Sequence, residues 1–394
     1  MLWLKILFWL ALFIVFYSYI GYGLILWIYL KLKTFTEKKL SDSQVSLFEP
    51  EVSLVIAAFN EEEIIETKIQ DCLALDYPKG KLRIIFVADG STDRTGELIA
   101  KYPQVELLYT PERRGKVAAI NRAMHFVKTP FVVFCDANTC LNAACIREIV
   151  KHYEDEKIGA VAGEKKVVTA TEAGDAVSSG EGLYWKYESA LKTLDSRFYS
   201  VVGAAGELFS IRTALYEPVP NAVLLDDFII SMRICKNGYR VVYEPKAFAS
   251  ESASFSMKDE QKRKIRISAG GFQSVLMLAD LLNIFKYGKL SFQYISHRVL
   301  RWVVCPVLLP VIFVTNVLIC TYDANLTAYS LLLIAQSCFY VAAMAGFLFA
   351  TNNIKIKFLY VPYYFVFMNF ALYLGFIKFV SNQQSVLWEK ARRK

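Results

Sequence analysis

Two rhythms of apolar residues organise this chain. From Glu51 to about Val242, short apolar runs alternate with stretches in which apolar residues recur three and four positions apart. The short runs predict strands at Val52 to Ala57, Leu82 to Ala88, Val105 to Tyr109, Phe131 to Cys135 and Gly159 to Val168. Between the first two, Ile64, Ile65, Ile69, Cys72 and Leu73 share the face of a helix. Strand, helix and strand repeated with short connections predict an α/β domain with a mostly parallel, Rossmann-like sheet and helices on both faces. The run FVVFCDANT (Phe131 to Thr139) stops abruptly at Asp136, a small residue and Asn138. A buried parallel strand that ends in a carboxylate carries it to the carboxyl edge of the sheet, where open α/β folds bind ligands. That is a place for a hard cation carrying a nucleotide diphosphate. VSLVIAAFNEEE (Val52 to Glu63) and LRIIFVADGSTDRT (Leu82 to Thr95) repeat the order of apolar strand, polar turn and helix start, so three edges predict one composite site.

The second rhythm is long and uninterrupted. Leu2 to Leu30 holds one charge, Lys5, over a length sufficient to cross a bilayer, and it is too long and too aromatic for a cleaved signal. Further oily segments cover about Val299 to Cys320, Thr327 to Ala350 and Phe358 to Val380. These patterns divide the chain into an amino-terminal transmembrane helix (1–30), a polar linker (31–50), a cytosolic domain (51–255), interfacial amphipathic helices (256–298), carboxyl-terminal transmembrane helices (299–380) and a basic tail (381–394). Ser256 to Ile284 begins very basic and ends apolar, the pattern of a helix lying at headgroup level, and Glu181 to Leu194 is aromatic and helical. Lys31, Lys33, Lys38 and Lys39 follow the first segment, which orients the domain toward the cytoplasm at a plasma (inner) membrane. The loop YDANLT has no basic residue and suits the outer face, and Lys355 with Lys357 returns the chain inside. A fourth full crossing would place WEKARRK outside, against the charge rule. Either Phe358 to Val380 does not cross completely or the rule fails here, and the side of the tail stays open.

Composition narrows the chemistry. Hydrophobic residues make up 55% of the chain, more than a soluble enzyme needs. Eight cysteines form no CxxC pair, and with three histidines in the chain Cys135, Cys140 and Cys145 read as small core residues of a reducing compartment rather than a zinc site. The net charge of +8 suits anionic lipid and a phosphate-rich substrate, and no basic-aromatic pattern points to nucleic acid.

Several motifs, taken in order, carry a resemblance. Asp89 follows the second strand, Asp136-Ala137-Asn138 the fourth, Asp226-Asp227 precedes a helix ending in Asn237-Gly238-Tyr239-Arg240, and a basic run starts at Gln261. Together they resemble a membrane-integrated family 2 glycosyltransferase, similar to hyaluronan, cellulose and poly-N-acetylglucosamine synthases, over nearly the whole chain. The resemblance implies a GT-A fold and transfer from a UDP-sugar. Asp89 is the candidate for holding the nucleoside, with Ala57, Phe59 and Glu61 completing its pocket. The alternatives are a helix cap for Asp89 and a first-turn acid for Glu61. Lys116 would reach the phosphates and Asp136 a divalent ion, Mg²⁺ or Mn²⁺, beside Ala137. For Lys116 the alternative is a solvated basic helix start. Asn138 departs from the family pattern of two aspartates flanking one residue and supplies an oxygen without a charge.

Asp227 aligns with the general base and Asp226 with its support. Adjacent carboxylates in an apolar stretch raise one another's pKa, which serves a base at neutral pH, and the alternative is again a helix start. Attack from the face opposite the diphosphate inverts the anomeric centre and gives a β-linkage from an α-linked donor. By the resemblance Gln261 opens the diphosphate motif and Arg263, Lys264 and Arg266 would be its cationic partners, the alternative being a juxtamembrane polybasic face, but the family's tryptophan platform is replaced by Ile265. Tyr184 or Trp185 would then support the acceptor, or the enzyme is less processive. The small-residue turn from Gly203 to Gly206 reads as the acceptor-side floor or as a plain strand turn. Three functions follow: extension of a β-linked polysaccharide with product translocation, single transfer to a lipid-linked acceptor, and an inert nucleotide-binding receptor or scaffold, the last supported by Asn138 alone.

Overall fold

The computed structural model describes residues 1–36, 48–168, 176–252, 257–322, 328–352 and 356–382. Lys38, Lys39, Lys355 and the tail from 383 lie outside the described residues, as do 323–327 of the expected outer loop. The described chain forms two compact units, one from 32–36, 48–168 and 187–252 and one from 1–31, 176–186 and 257–382.

The first unit is built on an eight-stranded sheet: β1 Val52–Ala58, β2 Leu82–Asp89, β3 Glu106–Thr110, β4 Phe131–Asp136, β5 Cys140–Leu141, β6 Ile158–Val168, β7 Leu208–Arg212 and β8 Arg240–Ser252, in the order β3-β2-β1-β4-β7-β6-β8-β5. The five expected strands all form. β1 is buried at every position, as a strand covered on both faces must be. It pairs in parallel with β2 and β4, and β2 with β3. Beyond β4 the sheet is mixed: β7 runs antiparallel to β4 and β6, β6 parallel to β8, and β5 antiparallel to β8. Its strand LFSIR follows a run of small residues and is too short to announce its direction.

The helix Ile65–Leu73 buries Ile65, Ile69 and Cys72 against the sheet, and with them Lys68. Val52, Leu54, Ile56, Phe86, Val133 and Cys135 belong to the same core cluster. The helix expected over Glu181 to Leu194 falls within Ala176–Phe198.

In the second unit, four helices are long and apolar enough to cross a membrane: Leu2–Lys33, Lys289–Tyr322, Ala328–Thr351 and Phe358–Val380. The second begins well before the expected Val299, because Gln293, Ser296, His297 and Arg298 continue the helix while buried in the fold. A helix covers Met257–Met277, within the stretch expected to be interfacial. It packs along Phe358–Val380 at Gly375, where a Cβ would come within 2.5 Å of Ser268 Cβ, and Phe272 stacks on Phe379 and meets Phe376 edge-on.

Candidate active site

The carboxyl edge of the parallel half gathers the predicted donor residues. The register sets Ala57 beside Asp136 and Ala58 beside Ala88, so the ends of β1, β2 and β4 are level. Asp89, 4% exposed, accepts the backbone N–H groups of Arg114 at 2.9 Å and Gly115 at 2.6 Å through Oδ2. Its Oδ1 has no hydrogen-bond partner among the described residues and lies 3.9 Å from Arg122. The cap on Thr95–Ala100 comes instead from Asp93, which accepts from Thr95 N at 3.0 Å and Thr95 Oγ1 at 2.6 Å. Asp89 therefore ties down the Arg113–Gly115 turn. That turn needs Gly90, at φ +67°, because the Arg113 backbone would lie 2.4 Å from a Cβ there. Arg113 lies over the Phe59 ring, 3.7 Å from its centroid, and Glu61 is buried with its N–H on Thr95 Oγ1 at 2.8 Å. The residues predicted to hold the nucleoside thus lie on neighbouring turns joined by the Arg113–Phe59 contact and the Glu61–Thr95 hydrogen bond.

Lys116 opens the helix Lys116–Met124 behind Gly115, and its Nζ donates to Asp136 Oδ1 at 2.5 Å. Burial works against its charge, but Asp136, Asp226 and Asp227 outweigh burial and hold the ammonium well above its ordinary pKa. This is a fixed ion pair at the edge, not a solvated helix start. Asp226 and Asp227 form the first turn of Asp226–Lys236; Leu225 holds the cap position and no side chain caps it. Asp226 is 6% exposed and its Oδ2 has no hydrogen-bond partner among the described residues. Burial, and then Asp226 beside it, push the Asp227 carboxyl up to about 7, against the pull of Lys116.

The turn from Gly203 joins this acidic pair to the sheet. Gly203 has φ +87°, and a Cβ there would meet the Phe228 ring at 2.1 Å. Ala204 N donates to Ser231 Oγ at 3.0 Å, and Ser231 Oγ to Asp227 O at 2.7 Å. A Cβ on Gly206 would lie 3.1 Å from Lys116 Nζ and 3.3 Å from Asp227 Oδ2, so the backbone here sits close against both charges and a side chain would crowd them. β7 follows at once, with Leu208 paired to Cys135. Lys116, Asp136, Asp226, Asp227 and Gly206 are therefore brought together.

Glu207 was outside the predicted set. It adds negative charge near Asp227 and pairs with the buried Lys165 at 2.5 Å, which also pairs with Glu251. The signal available in the sequence was the charged run Glu164-Lys165-Lys166 interrupting the apolar pattern of β6.

Ala137 and Asn138 follow Asp136 directly after β4, and the other predicted residues, Tyr184, Trp185, Gln261, Arg263, Lys264 and Arg266, lie in the helical unit. Arg263 pairs with Glu260 at 2.9 Å, and the buried Lys264 lies 3.5 Å from the same carboxylate and 4.9 Å from the Tyr184 ring centroid, with Trp185 at 5.8 Å. Gln261 is half-buried and Arg266 exposed. Among the described residues, no group of three or more His, Cys, Asp and Glu could hold a metal ion by itself.

A parallel half-sheet continued by antiparallel strands, with acids gathered at one edge, is a GT-A-like fold. Residues 53–218 match the family described as Glycosyl transferase family 2. Poly-beta-1,6-N-acetyl-D-glucosamine synthase of Staphylococcus aureus is 25% identical over 246 residues, covering 60% of this chain and 57% of that protein. The chain thus matches little more than half the length of this relative. The synthase of the same name from Staphylococcus epidermidis is 24% identical over 76% of this chain and 74% of its own length. Among solved structures, a mannosyltransferase of Pyrobaculum calidifontis in complex with GDP-Man and Mn²⁺ shares the fold with a TM-score of 0.68 and 20% identity, over 96% of this chain and 100% of that one.

Proposed function

We propose that the protein is an inverting glycosyltransferase that extends a β-linked polysaccharide from a UDP-sugar at the cytoplasmic face of a membrane and passes the product through its spans. The observation that carries this reading is the convergence of Lys116, Asp136 and the Asp226-Asp227 pair at one sheet edge. Asp89, with the Phe59–Glu61 turn, holds the nucleoside, and Lys116 meets the diphosphate charge. Asp227 accepts the proton of the acceptor hydroxyl as that oxygen attacks the anomeric carbon from the side opposite the leaving diphosphate. Asp226 supports the base by raising its proton affinity.

The donors available to a divalent cation are hard oxygens, of Asp136 and Asn138, and Lys116 already occupies Oδ1 of Asp136. Two protein oxygens fit Mg²⁺ or Mn²⁺ only when diphosphate oxygens complete the shell, the arrangement magnesium sites commonly use. Bound that way, the ion would act as a Lewis acid on the leaving group. Gln261 and Arg266 are proposed as further diphosphate partners, with the Arg263 and Lys264 charges shared with Glu260. Tyr184, Trp185, Gly203 and Gly206 are assigned to the acceptor side.

The charge sharing of Lys264 and the missing tryptophan favour a second reading, transfer of one sugar to a lipid-linked acceptor. Membranes containing the protein, incubated with UDP-glucose, UDP-N-acetylglucosamine or UDP-glucuronate, separate the readings by product size. A ladder of polymer supports the first, and a single-sugar glycolipid the second. EDTA should stop either product and Mn²⁺ restore it. Transfer that persists unchanged in EDTA removes the cation from the scheme, and failure with every donor returns the inert-receptor reading.

A further inference from the structure

Lys68 is the most unexpected charge in the sheet unit. It sits on the apolar face of Ile65–Leu73, one turn from Ile65, and is 3% exposed. A buried ammonium is costly unless each of its three N–H donors is met. Here Nζ donates to Thr139 O at 2.6 Å and to Cys135 Sγ at 3.1 Å, and lies 3.5 Å from Asp71 Oδ2.

The first two partners bracket Asp136-Ala137-Asn138. Thr139 Oγ1 closes the same turn by donating to Asp136 O at 2.9 Å, and it lies 3.1 Å from Cys135 Sγ. Asp71 Oδ2 accepts Leu141 N at 3.0 Å, so the acid beside Lys68 grips the next stretch of chain. The helix carrying both residues starts directly after the donor-pocket turn, where Glu61 O accepts the N–H groups of Ile64 and Ile65. One short helix therefore fixes the ends of β1 and β4 against each other.

The geometry points to Lys68, with Asp71, as a positioning residue that sets the Asp136–Asn138 turn for a divalent cation and a nucleoside diphosphate. The inference rests on the proposed donor role of Asp136. Neither Lys68 nor Asp71 touches donor or cation in this scheme; they act through the turn, as partners behind metal ligands do, and loss of such a partner typically weakens metal affinity 10–100-fold.

The test is calorimetric titration of the full-length protein in detergent with Mn²⁺ and whichever of UDP or GDP the unaltered protein binds more tightly. Lys68→Met should weaken the Kd about 10–100-fold at an unchanged number of sites, and Lys68→Arg should recover part of the loss. A merely structural role would lower the number of competent sites and leave the Kd alone. Asp71→Asn, on a partly exposed side chain, should shift the Kd in the same direction by less, and it decides the matter if Lys68→Met does not fold. Asp136→Asn is titrated in parallel. If it weakens binding while Lys68→Met and Asp71→Asn stay within about twofold of the unaltered protein, the positioning role is overturned and the donor site stands. If Asp136→Asn binds as the unaltered protein does, the donor reading fails, and a Kd shift in Lys68→Met would then belong to another site.

Discussion

Replacing Asp227 by Asn should abolish transfer and at the same time stabilise the protein at neutral pH. Asp227 carries an ordinary value of 3.8 up to about 7 in the fold, chiefly through burial and then through Asp226. The sign follows from proton counting. Between those two values the folded state holds a proton that the unfolded state has released, so stability falls as pH rises from about 4 to 7. The gap of about three pKa units corresponds to on the order of 4 kcal/mol at 1.36 kcal/mol each. Solvent reaching this partly exposed carboxyl reduces that to ~2 kcal/mol. Asn cannot ionise, so Asp227→Asn should recover this amount above pH 7 and almost none at pH 4. Loss of a general base lowers the rate ~10²–10⁴-fold, or about 3–5 kcal/mol of barrier. In the unaltered protein kcat should rise about tenfold per pH unit below about 7 and level off above it. Transfer rates from pH 5 to 9, with thermal unfolding of both proteins across the same range, check both halves. A flat rate profile, or an Asn variant with more than a tenth of the activity, refutes Asp227 as the base. An Asn variant that is active and less stable at pH 8 refutes the electrostatic argument as well.

Gly203→Ala should be strongly destabilising, because both φ +87° and the Phe228 ring oppose a Cβ. A loss of ~3 kcal/mol or more is expected, and an unfolding temperature equal to that of the unaltered protein would show that the turn can relax. The carboxyl tail should lie on the cytoplasmic side. Phe358–Val380 packs near its end, at Gly375, Phe376 and Phe379, on the helix that carries Lys262, Arg263, Lys264 and Arg266, which we propose lies at headgroup level. A tag placed after Lys394 should resist labelling by an impermeant reagent in intact cells, and labelling from outside contradicts this placement.

Much of the acid-bearing sheet edge was legible in the sequence. The strands ending near Phe59, Asp89 and Asp136 follow from uninterrupted apolar runs that stop at polar turns, and Ala57, Asp89 and Asp136 stand at the strand ends as expected. The role of Asp89 was less legible. As a cap for its own helix it would have needed only local geometry, yet Asp93 takes that place and Asp89 holds Arg114 and Gly115 from more distant sequence. Lys116 also resembled an ordinary helix-start cation until its contact with Asp136 was visible.

Sequence alone determined where the chain is buried in sheet and where it is long and apolar enough to cross a membrane, because period and run length record burial locally. Tertiary structure decided the reversed insertion of β7 beside β4, which brings Gly206 and Glu207 to the acids. It also decided the joining of Lys68 to the Asp136 turn and the proton affinity of Asp227. These depend on desolvation and on charges brought together from distant parts of the chain, which no local pattern of hydrophobic and polar residues encodes.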